Sequence, residues 1–179
     1  MRRAAASGRA VTTLLVTVAV LAPGCAAHGL DFRQDTRVHI LRPHNDSTVE
    51  LPVTISWRVG DFNVTGPDDG AGSDAGYFGV FVDRAPQPPG QPLSWFARHD
   101  QSCATPAQCI TPTYLADRNV YTTTLTQFTI TQLPRSTLGS IGGRELHDVT
   151  IALLDGQGRR IGESAFYVEF LVKQKSSVV

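Results

Sequence analysis

Residues 49–59 (VELPVTISWRV) carry an apolar side chain at every second position: Val49, Leu51, Val53, Ile55, Trp57 and Val59. In an extended chain successive side chains point to opposite faces, so this spacing lays all six on one side of a strand. A helix would scatter them around its surface. The alternation recurs along the chain. Residues 36–41 offer Val38 and Ile40, residues 77–83 offer Phe78, Val80 and Val82, and residues 93–97 offer Leu93 and Trp95. Residues 121–133 read as two short strands divided near Thr126. Residues 146–154 offer Val149, Ile151 and Leu153, and residues 161–172 offer Ala165 and Tyr167. Between these runs stand chain breakers, among them Pro43, Gly60, Gly66-Pro67, the proline-rich segment 85–90 and Gly142-Gly143. Asp155-Gly156-Gln157-Gly158 joins two of the clearest strands and reads as a hairpin turn. No segment sustains a helical period between caps. The pattern predicts an all-β domain over residues 36–173, an antiparallel β-sandwich of seven to eight strands.

The first 25 residues follow different rules. Arg2, Arg3 and Arg9 precede an uncharged apolar run from Ala10 to Ala22, and Pro23-Gly24-Cys25 closes it. A basic start, a short apolar segment and small residues at its end make a cleaved secretory signal. The 13-residue run is short of the roughly 20 apolar residues a membrane-spanning helix needs. Residues 21–25 (LAPGC) resemble a bacterial lipobox. The resemblance implies cleavage before Cys25 and conversion of its thiol to a diacylglyceryl thioether. Residues 1–24 are then the signal peptide, 25–35 a polar tether and 174–179 a C-terminal tail. Leu21 lies one position further out than is usual in a lipobox and Pro23 is unusual within it, so ordinary secretion with a cut near Ala26 or Ala27 stands as the alternative. Acyl chains contribute about 0.8 kcal/mol per buried CH₂, enough in combination to hold a protein on a membrane.

Removal of residues 1–24 also changes the charge. The whole chain balances 16 basic against 16 acidic residues, but the leader holds three of the arginines, leaving a mature net charge of −3. That balance argues against a nucleic-acid partner, which requires a basic face. Arginine outnumbers lysine by 14 to 2, a usage like that of GC-rich, actinobacterial-like genomes. With Cys25 assigned to the anchor, Cys103 and Cys109 form an even pair. In an exported chain such a pair reads as a disulfide. It would close the loop 104–108, contributing roughly 2 kcal/mol.

Residues 38–43 (VHILRP) followed by 49–57 (VELPVTISW) resemble the opening A and B strands of bacterial immunoglobulin-like or fibronectin-III-like domains. Residues 147–158 (HDVTIALLDGQG) and the strand after them are similar to the closing F–G hairpin of the same domains. The resemblance covers about 36–60 and 144–172. It implies an immunoglobulin-like β-sandwich in a cell-surface setting, and it carries no activity, because one fold hosts many functions.

Function is therefore sought in the long connections. Residues 61–76 hold Asp61, Asp68, Asp69 and Asp74, oxygen donors of the kind Ca²⁺ takes, although the spacing is not that of an EF-hand. A solvated loop is the plainer reading. Residues 84–119 hold Trp95, Phe96, Arg98 and Asp100 beside the cysteine pair. If Leu93, Trp95 and Ala97 face inward, Phe96 and Arg98 face outward, and aromatic and arginine side chains are favoured in binding patches. The other reading packs Trp95 and Phe96 together under the loop. Catalytic motifs do not fit: HExxH does not occur, and residues 162–166 (GESAF) lack the last glycine of GxSxG. His39 and His147 fall in strands, as partly buried structural histidines would. The sequence thus predicts a noncatalytic, lipid-anchored envelope module without cofactor. It would bind a protein or cell-wall ligand, with a Ca²⁺- or metal-binding envelope protein as the alternative. In fractionated cells, Cys25→Ala is expected to release the protein or leave its precursor uncut. Normal processing with full membrane retention contradicts the anchor.

Overall fold

The structure, a computed structural model, describes residues 36–69 and 72–173, without the side chains of Glu163 and Ser164. The leader, Cys25, the tether and the C-terminal tail lie outside those residues. In chain order the strands are β1 (Val38–Arg42), β2 (Ser47–Val49), β3 (Val53–Val59), β4 (Asn63–Val64) and β5 (Ala75–Val82), then β6 (Val120–Thr123), β7 (Gln127–Ile130), β8 (Ser140–Ile141), β9 (Arg144–Leu154) and β10 (Arg160–Lys173). Between β5 and β6 lie a 3₁₀ helix (Leu93–Ala97) and two short helices, α1 (Pro106–Cys109) and α2 (Pro112–Ala116). The domain is all-β in class.

Two sheets form. The smaller is antiparallel, in the order β1-β3-β7. The larger runs β2-β10-β9-β5-β4, with β6 also paired to β5 and β8 to β9. Its long pairings are antiparallel, while β2 on β10 and β4 on β5 are short parallel ladders. One core joins the sheets. Val38, Val53, Ile55, Trp57 and Ile130 come from the smaller sheet; Phe78, Val80, Val82, Val149, Ile151, Leu153, Val168, Phe170 and Val172 come from the larger. Trp57 meets Phe78 edge to face with ring centroids 5.3 Å apart, a favoured aromatic geometry.

The alternation in residues 49–59 is kept, but the segment is not one strand. Val53, Ile55 and Trp57 are buried, and Val49, Leu51 and Val59 pack against the same core. Pro52 breaks the ladder because it has no N–H to give. Residues 47–49 therefore join the larger sheet and residues 53–59 the smaller. Among the described residues ten strands form where seven to eight are expected. The excess consists of β2, β4 and β8, of two or three residues each. Such ladders rest on backbone pairing and leave no side-chain period to read.

The inward face of β10 also differs from expectation. Tyr167 is 63% exposed, and Val168, Phe170 and Val172 point to the core. The cause is a register shift. Ile161 pairs Leu153 and Phe166 pairs Ile151, so β10 spends three more residues than β9 over this stretch. An odd number of extra residues exchanges the two faces of a strand. The hairpin turn forms as predicted: Gly158 N–H donates to Asp155 O at 2.8 Å, and Gly158 has φ of 72°.

Gly76 sits where β5 crosses β9. A Cβ there would strike the Leu154 carbonyl oxygen and lie 2.9 Å from Asp155 Cα. Gly60 has no atom within 4 Å of such a Cβ. Gly76→Ala is expected to lower unfolding free energy in urea by about 2–3 kcal/mol, and Gly60→Ala by less than about 0.5 kcal/mol. Equal effects contradict this account of the β5–β9 approach.

Candidate functional site

The segment 84–119 is held against the outer face of the larger sheet. Tyr77 and Phe81 of β5 and Ala152 and Leu154 of β9 form a second core with Leu93, Phe96, Leu115 and Val120. A polar clasp fixes its entry: buried Gln87 donates to Gly158 O at 3.3 Å, and Arg160 donates from its guanidinium to Gln87 O at 3.0 Å. Residues 93–97 form a 3₁₀ helix and not the strand that alternation suggests. Pro92 stands at its N-cap, and a three-residue turn brings Leu93 and Phe96 onto one side. Phe96 is therefore buried at 8% exposure, Trp95 is half-buried, and Arg98 is exposed. The expectation of an outward Phe96 is corrected on this point.

Cations lie over the aromatic rings of the insert. The Arg98 guanidinium carbon is 3.3 Å from the Trp95 ring centroid, that of Arg118 is 3.6 Å from Tyr114, and that of Arg84 is 4.4 Å from Phe96. Trp95 stands perpendicular to Phe96 at 5.3 Å, so the outer pair rests on the anchored ring. Such stacking fixes long side chains that would otherwise lose rotamer freedom on binding. Burial, followed by the nearby Arg118 charge, lowers the Arg84 pKa.

Asp100 ties the insert together. Its Oδ1 accepts from the Ser102 hydroxyl at 2.6 Å and the Ser102 amide at 3.0 Å, and its Oδ2 from Tyr114 Oη at 2.9 Å and Arg118 Nη2 at 2.8 Å. The Ser102 and Tyr114 hydrogen bonds hold its carboxyl below the usual carboxylate range. Cys103 and Cys109 stand at disulfide distance with Cα atoms 5.8 Å apart. Of the residues singled out from the sequence, Trp95, Phe96, Arg98 and Asp100 thus share one insert, joined by Arg84, Tyr114 and Arg118, which the sequence did not single out.

The aspartates of residues 61–76 are engaged separately. Asp69 Oδ2 accepts from Gly66 N–H at 2.8 Å, Asp74 lies 3.6 Å from Arg37, and Asp68 N–H donates to Gly156 O. Asp61 occupies a turn with φ of 50°. Among the described residues no three His, Cys, Asp or Glu side chains are placed to hold a metal ion.

A second polar group centres on His147, which the sequence places in a strand as a partly buried structural histidine. His147, 1% exposed, has Nδ1 2.7 Å from Asp83 Oδ2, and Asp83 Oδ1 accepts from the Asp148 amide at 3.0 Å. Burial, then the Asp83 charge, raises the Asp148 pKa. The signal was present: His147 is in phase with Val149, Ile151 and Leu153, so the period that buries them buries it too. Its partner Asp83 ends a different strand and is invisible to periodicity. His147 and Glu145 also line a cavity of about 520 Å³.

Comparison with protein-family models, curated proteins and solved structures finds no match to this chain. Two outcomes test the insert. Intact mass with and without reductant should differ by two hydrogen atoms, and alkylation of both thiols without reduction contradicts the pairing. In an NMR titration the Ser102 amide should report Asp100 ionising below 3.8, its ordinary value. A lowered pKa makes the tie fully present above that value and lost as pH falls through the folded one. An inflection at or above 3.8 contradicts the network.

Proposed function

We propose that the chain is a noncatalytic, lipid-anchored cell-envelope module that binds a protein partner through the outward face of residues 84–119. The observation that carries the binding surface is the set of three guanidinium groups stacked on Trp95, Phe96 and Tyr114. Aromatic and arginine side chains dominate the energetic centres of protein interfaces. Here Arg98 offers donors to a partner carboxylate, and Trp95 offers a ring already fixed in place. Preorganisation reduces the ordering that binding demands. The anchor through Cys25 and the exported setting belong to the same proposal and follow from the leader.

We also read the two-sheet domain as immunoglobulin-like. What supports this is strand order. The smaller sheet joins β1, β3 and β7 as A, B and E would pair, and the larger places β10, β9, β5 and β6 as G, F, C and C′. On that reading the insert lengthens the C–C′ connection at one end of the domain.

Crosslinking in intact cells tests the binding surface. Trp95→Ala and Arg98→Ala should each lower the yield of a specific crosslinked protein about tenfold. Both variants should be exported normally. A partner captured in equal yield by wild type and both variants places binding elsewhere.

A further inference from the structure

A second cavity opens between the insert, the β9–β10 turn and the segment before β5. Its volume of about 440 Å³ lies within the range of small-molecule sites. Tyr77 stands in its lining and is 5% exposed. Among the described residues the Tyr77 hydroxyl has no hydrogen-bond partner, and unlike Trp57 Nε1 it is not sealed from the surface. A nearly buried hydroxyl without a partner calls for one from outside the protein. Burial, then the charges of Asp155 and Asp68, push its pKa up to about 12, so the proton stays on the oxygen at neutral pH. Gly158 keeps the approach open, since a Cβ there would lie 3.0 Å from Tyr77 Oη and 3.3 Å from Leu93 Cδ1.

The rim decides what can meet that hydroxyl. Asp68 and Arg159 both line the cavity and are exposed, and no ion pair joins either side chain to another described residue. A carboxylate only accepts hydrogen bonds and a guanidinium only donates them. Their charges cancel, so an anion would meet Asp68 with like charge and a cation would meet Arg159. Ser94 and Gln157 add groups that both give and take. Such a lining is matched by an uncharged ligand that donates and accepts at each polar atom. A hydroxyl does so, with one O–H and two lone pairs on a single oxygen, whereas an amide divides the two roles between different atoms. Leu93, Ala107 and Ile110 supply an apolar wall, with Ala107 carried on α1 inside the cysteine loop. A ring bearing several hydroxyls and a C–H face fits rim and wall together.

We infer that this cavity binds an uncharged sugar ring, its hydroxyls meeting Tyr77, Asp68 and Arg159 and its C–H face lying on Leu93, Ala107 and Ile110. Neither Trp95 nor Arg98 lines the cavity, so the inference does not rest on the protein partner.

The probes are the methyl β-glycosides of glucose, galactose and N-acetylglucosamine. Cyclohexylmethanol, with the same ring size and one hydroxyl, and N-acetyl-trialanine amide, a neutral peptide, are the controls. Each is titrated at neutral pH into the ¹⁵N-labelled full chain while the backbone amides of Ser94, Gln157 and Gly158 are followed by NMR. At least one glycoside should shift these signals saturably, and both controls should bind at least about tenfold more weakly than it does. Tyr77→Phe keeps the ring and removes the unpartnered hydroxyl. It should leave the rest of the spectrum in place and weaken that glycoside about tenfold. Asp68→Ala, at an exposed side chain, should weaken it to a similar degree and decides alone if Tyr77→Phe fails to fold. No saturable response to any of the three glycosides, a control that binds as tightly, or undiminished affinity in the deciding variant overturns the inference.

Discussion

Burial of β5 and β9 on both faces is the constraint from which the rest of this domain follows. Their inward side chains, Phe78, Val80, Ile151 and Leu153 among them, meet the smaller sheet. Their outward ones, Tyr77, Phe81, Ala152 and Leu154, are apolar as well and would face water if the larger sheet stood alone. A sheet with two apolar faces must be covered twice. The smaller sheet covers one face, and residues 84–119 cover the other. At roughly 25 cal/mol per Å² of apolar surface removed from water, covering such side chains is worth about 1.5–3 kcal/mol each, so that together they are comparable with the whole net stability of a domain.

The cover explains the character of the insert. Leu93, Phe96, Leu115 and Val120 are drawn inward, so a segment rich in breakers is nonetheless fixed in position. What is left outside is polar or amphipathic: Arg98 against Trp95, Arg118 against Tyr114, and Asp100 between Ser102, Tyr114 and Arg118. A rigid support beneath and long cationic side chains held on rings above make a surface that needs little ordering to bind. Structure and proposed function meet at Phe96, which is both an anchor in the second core and the ring on which Trp95 and Arg84 rest.

Period two made the strands legible because each pays for its burial through one face. The segment 53–59, the β9 run and the Asp155 turn all fall where that rule puts them. The rule fails where something other than alternation sets direction. In 93–97 a 3₁₀ turn after Pro92 replaces period two with period three, which turns Phe96 inward. In β10 three extra residues exchange the faces, which turns Tyr167 outward. The continuous apolar stretch of β5 carried the sign of two-sided burial, since Tyr77 and Phe81 fall out of phase with Phe78, Val80 and Val82. The Asp83–His147 pair joins residues 64 apart in sequence, a separation that no local pattern reports.

Hydrogen exchange in Leu115→Ala tests the role of the insert most directly. Leu115 belongs to the cover and is 4% exposed, and truncating it removes anchor without touching β5 or β9. If the insert completes the larger sheet, amides of Val80, Phe81, Ala152 and Leu154 exchange faster in the variant together with those of residues 84–119. Faster exchange confined to residues 84–119, with β5 and β9 protected as in wild type, would show that the sheet stands without its cover and would contradict this account.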